Sequence, residues 1–449
     1  MHYSINPDFV VLSRSMKVQS PSQPLFLLIG DLFVLVFSLW VTLLIRYVNF
    51  PTSEAFVGHL LPFSFIFTIW LVVYFIYDLY GNQTTIFQKK LSAVIFNAHI
   101  INSIIALAFF YFIPYFSITP KTTLFIFLAV SFLIFDWWRR QIVFTIWRGG
   151  LETILFSCDG PEVEELVKEF TTNSWYRVKI LRKTSDMSGL VNNMPTVVIN
   201  THDANAEDFV SFYYMLFAGA KFVTLDSLYE TMFGRVPISS ISERWFLESI
   251  SVQPKPIFQV WKRITDMVVG SLVGLVSLPL YPFIMLAIKL DDGGEIFISP
   301  ERVGEHNRPI RLFKFRTMTV GNDGGQWGTV ANQVTRVGAF LRKTRLDELP
   351  QIWNVIRGDL SLVGPRPEFA PAVLQYTEEI KFYNIRHLVK PGLSGWAQIY
   401  GEQPHHGIGV EETKNKLSYD LYYIKNRSIV LDIKIVLKTI RILLSRSGI

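Results

Sequence analysis

The sequence predicts a membrane α-helical N-terminal domain with four spanning helices, a central α/β domain, and a C-terminal α+β domain anchored by a re-entrant membrane helix. Three observations carry that reading. Four apolar runs fill the first third of the 449 residues. Strand-like and helix-like patterns alternate between residues 151 and 250. A further apolar run, Ile264–Leu290, is broken by Ser277-Leu278-Pro279 and Pro282. With 50% hydrophobic, 15% aromatic and only 18% charged residues, part of the chain is built for lipid as solvent.

The first four runs are Leu25–Tyr47, Leu60–Tyr80, Leu91–Phe116 and Thr122–Trp138. Each approaches or exceeds the roughly 20 residues that cross a hydrocarbon core. A cleaved signal peptide would have one short apolar stretch, not four. Arg14 and Lys17 precede the first run, Lys89 and Lys90 separate the second and third, and Arg139, Arg140 and Arg148 follow the fourth. The positive-inside rule then places the N-terminus and everything after the fourth helix in the cytoplasm. Asp31, Asp78, Asn97, His99 and Asn102 interrupt the runs and are expected near interfaces or in helix–helix contacts, with no chemistry assigned.

Beyond residue 150, Glu152–Ser157, Thr196–Asn200 and Lys221–Leu225 read as strands, with helical patterns at Glu162–Phe170 and Asp208–Phe217. Strands alternating with helices predict a parallel sheet. The turn Ser157-Cys158-Asp159-Gly160 holds one glycine where a dinucleotide fold wants three, so this is a degenerate Rossmann-like domain that binds no cofactor. Cys158 is the lone cysteine, which excludes an internal disulfide and a cysteine-based zinc site.

The net charge of +6 is uneven: from Lys255 onward there are 26 Lys and Arg against 18 Asp and Glu, and before it 17 against 19. A basic C-terminal half suits phosphates, nucleotide-sugars or an anionic membrane surface. It carries no helix-turn-helix, zinc-finger or RNA-binding signature, so nucleic acid is not an expected partner. Composition allows Ile264–Leu290 to be either a kinked span or a re-entrant hairpin. A span would place the basic C-terminal region outside, against the positive-inside trend, so the charge balance favours the re-entrant form with its break at Ser277 and Pro279. The expected domains are 1–148, 149–255 and 256–449.

The densest signal is Arg342–Glu368, RKTRLDELPQIWNVIRGDLSLVGPRPE. Leu346, Leu349, Ile352, Trp353 and Ile356 recur at helical spacing, so a helix is expected from about Asp347 with Pro350 in its first turn. Asp347 and Glu348 then sit at a helix N-terminus, pointing about 100° apart and free for different tasks. Taken alone, the pair is better explained by an N-cap and a first-turn acid. Gly364-Pro365-Arg366-Pro367 adds a stiff turn bearing one guanidinium, suited to phosphate. Arg311–Met318, RLFKFRTM, alternates basic and apolar residues, as a strand lining a charged cleft or a solvated strand face would.

With the KR–xx–D start (Lys262, Arg263, Asp266), the Ser-Leu-Pro break, ERVGEHNRPIRLFKFRTM and KPGLSGWAQ (Lys390–Gln398), the stretch from about Gln259 to Arg446 resembles the bacterial sugar transferases, the monotopic phosphoglycosyl transferases. Its large members carry a four-helix membrane domain, and residues 1–255 match them in architecture and in pieces such as GRVPIS (Gly234–Ser239). The resemblance implies transfer of a sugar 1-phosphate from a UDP-sugar to polyprenyl (undecaprenyl) phosphate at the bacterial inner membrane, initiating exopolysaccharide, capsule or O-antigen synthesis. It implies Asp347 as nucleophile, Glu348 placing Mg²⁺ with it, and Lys314, Arg316, Arg342 and Arg366 binding phosphates. Membrane lipid and a homodimer through the membrane domain are the further partner expectations. One departure concerns the sugar or nucleotide contact: after KPGLSGWAQ many relatives continue to Gly-Arg-Asn, and here Gly401-Glu402-Gln403 follows. His405 and His406 read as surface. The competing accounts are a glycosyltransferase using Asp291 and Asp292 as a metal pair, which would release a nucleoside diphosphate, and a membrane sensor or scaffold.

Overall fold

The computed structural model describes residues 22–77, 79–80, 88–112, 121–146, 152–173, 178–182, 195–200, 212–213, 215–217, 219–241, 243–250, 256–319, 333–401 and 409–445. The chain divides into two compact units, Met1–Phe233 and Gly234–Ile449.

Apolar runs become helices because only an intrasegment hydrogen-bond ladder satisfies the backbone in lipid. In the first unit they form α1 (Ser22–Tyr47), α2 (Ser53–Ile76), α3 (Gln88–Phe112) and α4 (Lys121–Ile146). Within these, Leu25–Tyr47, Ser53–Ile76, Val94–Phe112 and Thr122–Gln141 are long and apolar enough to cross a membrane, which fits a membrane helical domain. Thr52 caps α2 eight residues before the expected apolar run begins at Leu60, accepting from Ala55 N at 3.3 Å. One face of each helix joins a core built on Leu35, Leu39, Phe67, Trp70, Ala98 and Phe127. The opposite faces expose Phe33, Phe65, Ile104 and Leu133. Polar groups inside the bundle tie helices together. Asp31 of α1 pairs with Arg139 of α4, which also donates to Leu79 O at 2.8 Å, and Trp138 Nε1 donates to Asp31 at 3.3 Å. Trp70 Nε1 donates to Asn102 O at 3.0 Å, and His99 Nε2 lies 2.9 Å from Leu128 O. Asn97 is exposed, and Asp78 lies outside the described residues.

Four parallel strands follow in the order β2-β1-β3-β4: β1 (Glu152–Phe156), β2 (Val178–Arg182), β3 (Thr196–Ile199) and β4 (Lys221–Thr224). β2 was not anticipated; Lys179 and Arg182 of its sequence VKILR suit a strand at the sheet edge, partly in solvent. α5 (Pro161–Thr172) and α6 (Leu225–Phe233) cover one face through Val163, Leu166, Leu228 and Tyr229. Gly160 enters α5 at φ 146°, a conformation that glycine alone adopts readily, and Glu162 and Glu164 fill the first turn. Half of the helical pattern Asp208–Phe217 lies outside the described residues, and the described part, 212–213 and 215–217, is helical.

The second unit opens with residues that the composition did not mark. Val236 N donates to Ser418 O at 3.1 Å, and Trp396 Nε1 donates to Gly234 O at 2.7 Å. Trp245 and Ile250, in and beside α7 (Glu243–Ser249), are buried in one core with Tyr376, Tyr383, Leu421 and Tyr423.

Next come α8 (Pro256–Ser277), a 3₁₀ turn (Leu278–Leu280) and α9 (Tyr281–Asp292), together a 37-residue apolar segment. The break falls at Ser277-Leu278-Pro279, where proline lacks the N–H that would continue the ladder. Asp266, Gly270, Gly274 and Ser277 form the buried stripe of α8. At Gly270 a Cβ would already touch Ile352, Val355 and Ile356, so α8 lies close against α11 (Gln351–Arg357).

The remaining strands are short: β5 (Phe297–Ile298) pairs antiparallel with β8 (Lys314–Phe315), β6 (Glu301–Val303) antiparallel with β7 (Pro309–Arg311), and β9 (Ser361–Val363) parallel with β10 (Gly392–Ser394). α10 (Arg336–Thr344), α12 (Ala370–Glu379), α13 (Trp396–Tyr400), α14 (Val410–Asn426) and α15 (Ile429–Ser445) complete an α+β unit.

Residues 234–250 therefore belong to the fold of the second unit. A fragment starting at Gly234 is expected to keep its stability in detergent, whereas one starting at Ser251 loses the buried Val236, Trp245 and Ile250. The cost is at least about 3–5 kcal/mol, that of truncating one buried tryptophan. Equal denaturant midpoints for the two fragments would contradict this packing.

Candidate active site

α10 starts at Thr335, whose side chain accepts from Gly338 N at 2.9 Å, and ends at Arg345. Arg345 is left-handed at φ 59°, an uncommon conformation for a side-chain-bearing residue, and it turns the chain into the 3₁₀ turn Leu346–Glu348. Pro350 separates that turn from α11 and caps it without a side-chain bond. The acidic pair thus lies in a 3₁₀ turn ahead of the helix, not on the helix's own first turn. Pro350 sets the difference, because α11 begins only after it. Adjacent side chains in such a turn diverge by about 120°.

Their surroundings differ accordingly. Glu348 Oε1 accepts from Lys314 Nζ at 3.0 Å and Arg366 Nη2 at 3.3 Å. Burial opposes its charge, but Lys314, Arg366 and Arg345 outweigh burial and pull its pKa down to about 2. Asp347 Oδ1 is buried with no hydrogen-bond partner, so the residue does not act as an N-cap. Burial first, and the neighbouring Glu348 second, raise its pKa, while Lys314, Arg342 and Arg345 lower it. One turn therefore carries a carboxylate held ionised and a second whose charge lacks a partner at one oxygen.

The predicted cations separate in space. Lys314 and Arg366 meet at Glu348. Arg342 Nε donates to Thr317 Oγ1 at 2.9 Å, with its charge felt at Asp347. Arg316 is held elsewhere: it forms a bidentate pair with Asp292 and also donates to Glu295 O. Asp291 Oδ2 accepts from Val337 N at 3.0 Å. Asp291 and Asp292 thus hold the end of α9 to the globular unit. Glu402, His405 and His406 lie outside the described residues.

Arg366 owes its place to close backbone packing and to a buried ionic network that the sequence reading missed. Gly364 N donates to Ser394 O at 2.8 Å and Gly392 N to Pro365 O at 2.9 Å; a Cβ on Gly364 would strike the backbone of residues 390–392. Arg386 Nη2 donates to the Arg366 carbonyl at 3.0 Å. Arg386 lies 2.9 Å from Asp420 and 3.7 Å from Glu368, and Glu368 also pairs with Lys416. Burial opposes the charge of Glu368 too, yet Lys416 and Arg386 bring its pKa to about 2. The signal available in sequence was Asp420 within the otherwise apolar LSYDLYYI.

The donor set fits a hard cation. Asp347 offers an unpaired oxygen, and both bonds to Glu348 land on Oε1, leaving Oε2. No group of three or more His, Cys, Asp or Glu that could cage a metal occurs among the described residues. Mg²⁺ bound at this turn would be held by Asp347 and Glu348.

The second unit is an α+β unit with one long apolar segment and two carboxylates surrounded by Lys and Arg, a site suited to anionic groups. Comparison narrows that description: residues 257–446 match the bacterial sugar transferase family. Over 228 residues the chain is 42% identical to the UDP-N-acetylgalactosamine-undecaprenyl-phosphate N-acetylgalactosaminephosphotransferase of Aeromonas hydrophila, covering 49% of this chain and 51% of that one. It is 42% identical over 182 residues to the UDP-glucose:undecaprenyl-phosphate glucose-1-phosphate transferase of Escherichia coli, covering 40% and 39%. It is 38% identical over 191 residues to an uncharacterized sugar transferase of Bacillus subtilis, covering 42% of this chain and 90% of that one. The chain belongs to the bacterial sugar transferase family. Its matches span about half or less of the first two relatives.

Any reaction that uses Asp347 as a carboxylate loses rate as pH falls through its folded pKa. Because that pKa is raised, the acid limb of kcat/KM is expected above the ordinary aspartate value of 3.8. Arg345→Met, which removes a cation that lowers the pKa, should move the limb further up. A limb at or below the ordinary value, unmoved in Arg345→Met, would contradict this electrostatic picture.

Proposed function

We propose that this chain transfers a sugar 1-phosphate from a UDP-sugar to polyprenyl (undecaprenyl) phosphate, releasing UMP, in two displacements on Asp347. The observation that carries the proposal is the pairing of Asp347, with its buried unpartnered oxygen, and Glu348, held ionised by Lys314 and Arg366. The relatives' names supply the acceptor, undecaprenyl phosphate, and donors that are UDP-sugars.

In the first displacement the Asp347 carboxylate attacks the sugar-bearing phosphorus. A P–O bond of the diphosphate breaks, and UMP leaves as the dianion. In the second, a phosphate oxygen of the lipid attacks the same phosphorus, the bond to Asp347 breaks, and the carboxylate returns. No net proton transfer is required. Lys314 and Arg366 fix Glu348, while Lys314, Arg342 and Arg345 offset the charge at Asp347. Mg²⁺, held by Asp347 and Glu348, would neutralise the diphosphate. Arg316 supports the site indirectly, by fixing the end of α9.

The broken segment Pro256–Asp292 is read as re-entrant, since both of its ends bond to the one unit that carries the Asp-Glu turn. The four earlier apolar helices are read as spans, with Lys and Arg of the connecting loops on the cytoplasmic side of the inner membrane, where UDP-sugars are made. The parallel sheet is read as a degenerate dinucleotide fold: Glu162 and Glu164 occupy the helix start where a pyrophosphate would lie. The alternative metal pair, Asp291 and Asp292, loses support because both carboxylates are committed to Val337 N and Arg316.

Membranes containing the full chain and a panel of UDP-sugars should release at most one UMP per enzyme without polyprenyl phosphate, and many UMP per enzyme when it is supplied. Asp347→Asn should lower that turnover by at least about a thousandfold, as loss of a nucleophile does. Glu348→Gln should cost on the order of a hundredfold. Release of UDP in place of UMP, or near-normal turnover in Asp347→Asn, would overturn the proposal.

A further inference from the structure

The proposed reaction leaves one half-buried cation beside the site without a task. Arg302 lies on β6, opposite Ile310 of β7, and Val303 N next to it donates to Glu368 O at 2.9 Å. Its guanidinium carbon lies 3.1 Å from the ring centroid of Phe369, and its Nε is buried with no hydrogen-bond partner. Among the described residues it makes no ion pair or hydrogen bond through its side chain. Burial lowers its pKa to about 10; Glu368 and Glu348 favour its charge and Arg366 opposes it. Those two carboxylates are already taken, Glu368 by Lys416 and Arg386 and Glu348 by Lys314 and Arg366. A desolvated guanidinium whose neighbouring acids are engaged gains most from a further anion, and its planar fork suits two phosphate oxygens.

Lys314 and Arg345 act on both Asp347 and Glu348, and the remaining cations of the site divide between them. Lys314, Arg342 and Arg345 bear on Asp347. Arg302 shares its field with Arg366, Glu348 and Glu368. We infer that Arg302 and Arg366 form the subsite for the phosphate that Asp347 does not attack, and that this one subsite serves the departing nucleotide phosphate and then the arriving lipid phosphate. The inference rests on the two-displacement reaction proposed above. Displacement at phosphorus runs in line, with entering and leaving oxygens on opposite sides. Asp347 enters in the first step and leaves in the second, so UMP departs from the position at which the lipid phosphate arrives. A subsite that accepts two phosphate monoesters with unlike substituents has to read the phosphate itself. Paired guanidinium groups do so.

The test is equilibrium binding of UMP, uridine and farnesyl phosphate to the full chain in lipid nanodiscs, for the wild type, Arg302→Met and Arg302→Lys. Methionine keeps an apolar stem against Phe369 and removes the fork. Arg302→Met should weaken UMP and farnesyl phosphate by about tenfold or more, the loss of a charge-assisted phosphate contact, and leave uridine unchanged. A general loss of structure would weaken uridine as well. Arg302→Lys should lie between the two, and it carries the test if Arg302→Met unfolds at lower temperature than the wild type. Wild-type binding that favours UMP over uridine, with the same preference kept in both variants, overturns the role of Arg302 alone. Loss of UMP binding with farnesyl phosphate unaffected overturns the shared subsite. A wild-type protein that does not distinguish UMP from uridine overturns the reaction on which the inference rests.

Discussion

Lys262, Arg263 and Asp266 hold the start of the broken apolar helix to the second unit, and Asp291 and Asp292 hold its end to that same unit. Lys262 reaches Asp432 at 2.7 Å and Val363 O at 2.9 Å; Arg263 caps Val355 O and Ile356 O at 2.8 and 2.6 Å; Asp266 accepts from Ser361 Oγ and Leu362 N at 3.0 and 2.9 Å. As one straight helix, 37 residues would reach roughly 55 Å, well beyond a hydrocarbon core of about 30 Å. The break at Ser277-Leu278-Pro279 and the two charged anchors resolve that excess. Between the anchors Leu272, Leu275, Val276, Phe283 and Leu286 stay exposed, a surface that calls for lipid. The Asp-Glu turn immediately precedes the helix that packs on the buried stripe of α8, so Asp347 and Glu348 are fixed relative to the apolar surface.

The polar interior of the second unit divides the work of placing charge. Glu348 is satisfied and Asp347 is not, although they are neighbours, because the 3₁₀ turn points them apart and only one meets Lys314 and Arg366. The network of Glu368, Arg386, Lys416 and Asp420 sits behind Arg366. Buried ion pairs contribute little net stability once desolvation is counted, so the network is better understood as fixing the Pro-Arg-Pro turn through the Arg366 carbonyl.

Much of this was legible in the sequence. The apolar runs announced their helices because lipid leaves the backbone no other solution, and prolines marked the break in Pro256–Asp292. The spacing of Leu346, Leu349, Ile352 and Ile356 gave α11, but Pro350 moved its start past the acids. Lys314 and Arg366, two of the basic residues singled out in the sequence, meet at Glu348, whereas Arg316 lies against Asp292, since a guanidinium in a basic strand can equally well pair with a structural carboxylate. The role of residues 234–250 and the pairing of Arg386 with Asp420 were not legible, since both depend on contacts between segments distant in the chain. Arg302 was hidden in the same way: its sequence neighbours give no sign that Phe369 covers it.

The most direct test of the account is the sidedness of the two ends of the broken helix. In intact cells carrying the full chain with Cys158→Ser, single cysteines at Lys255 and Glu295 would be challenged with a membrane-impermeant maleimide from outside. The account predicts that neither is labelled until the membrane is permeabilised, when both react. Labelling of Glu295→Cys from outside, with Lys255→Cys protected, would show a crossing helix, and a site carried on the far side of the membrane would contradict the account.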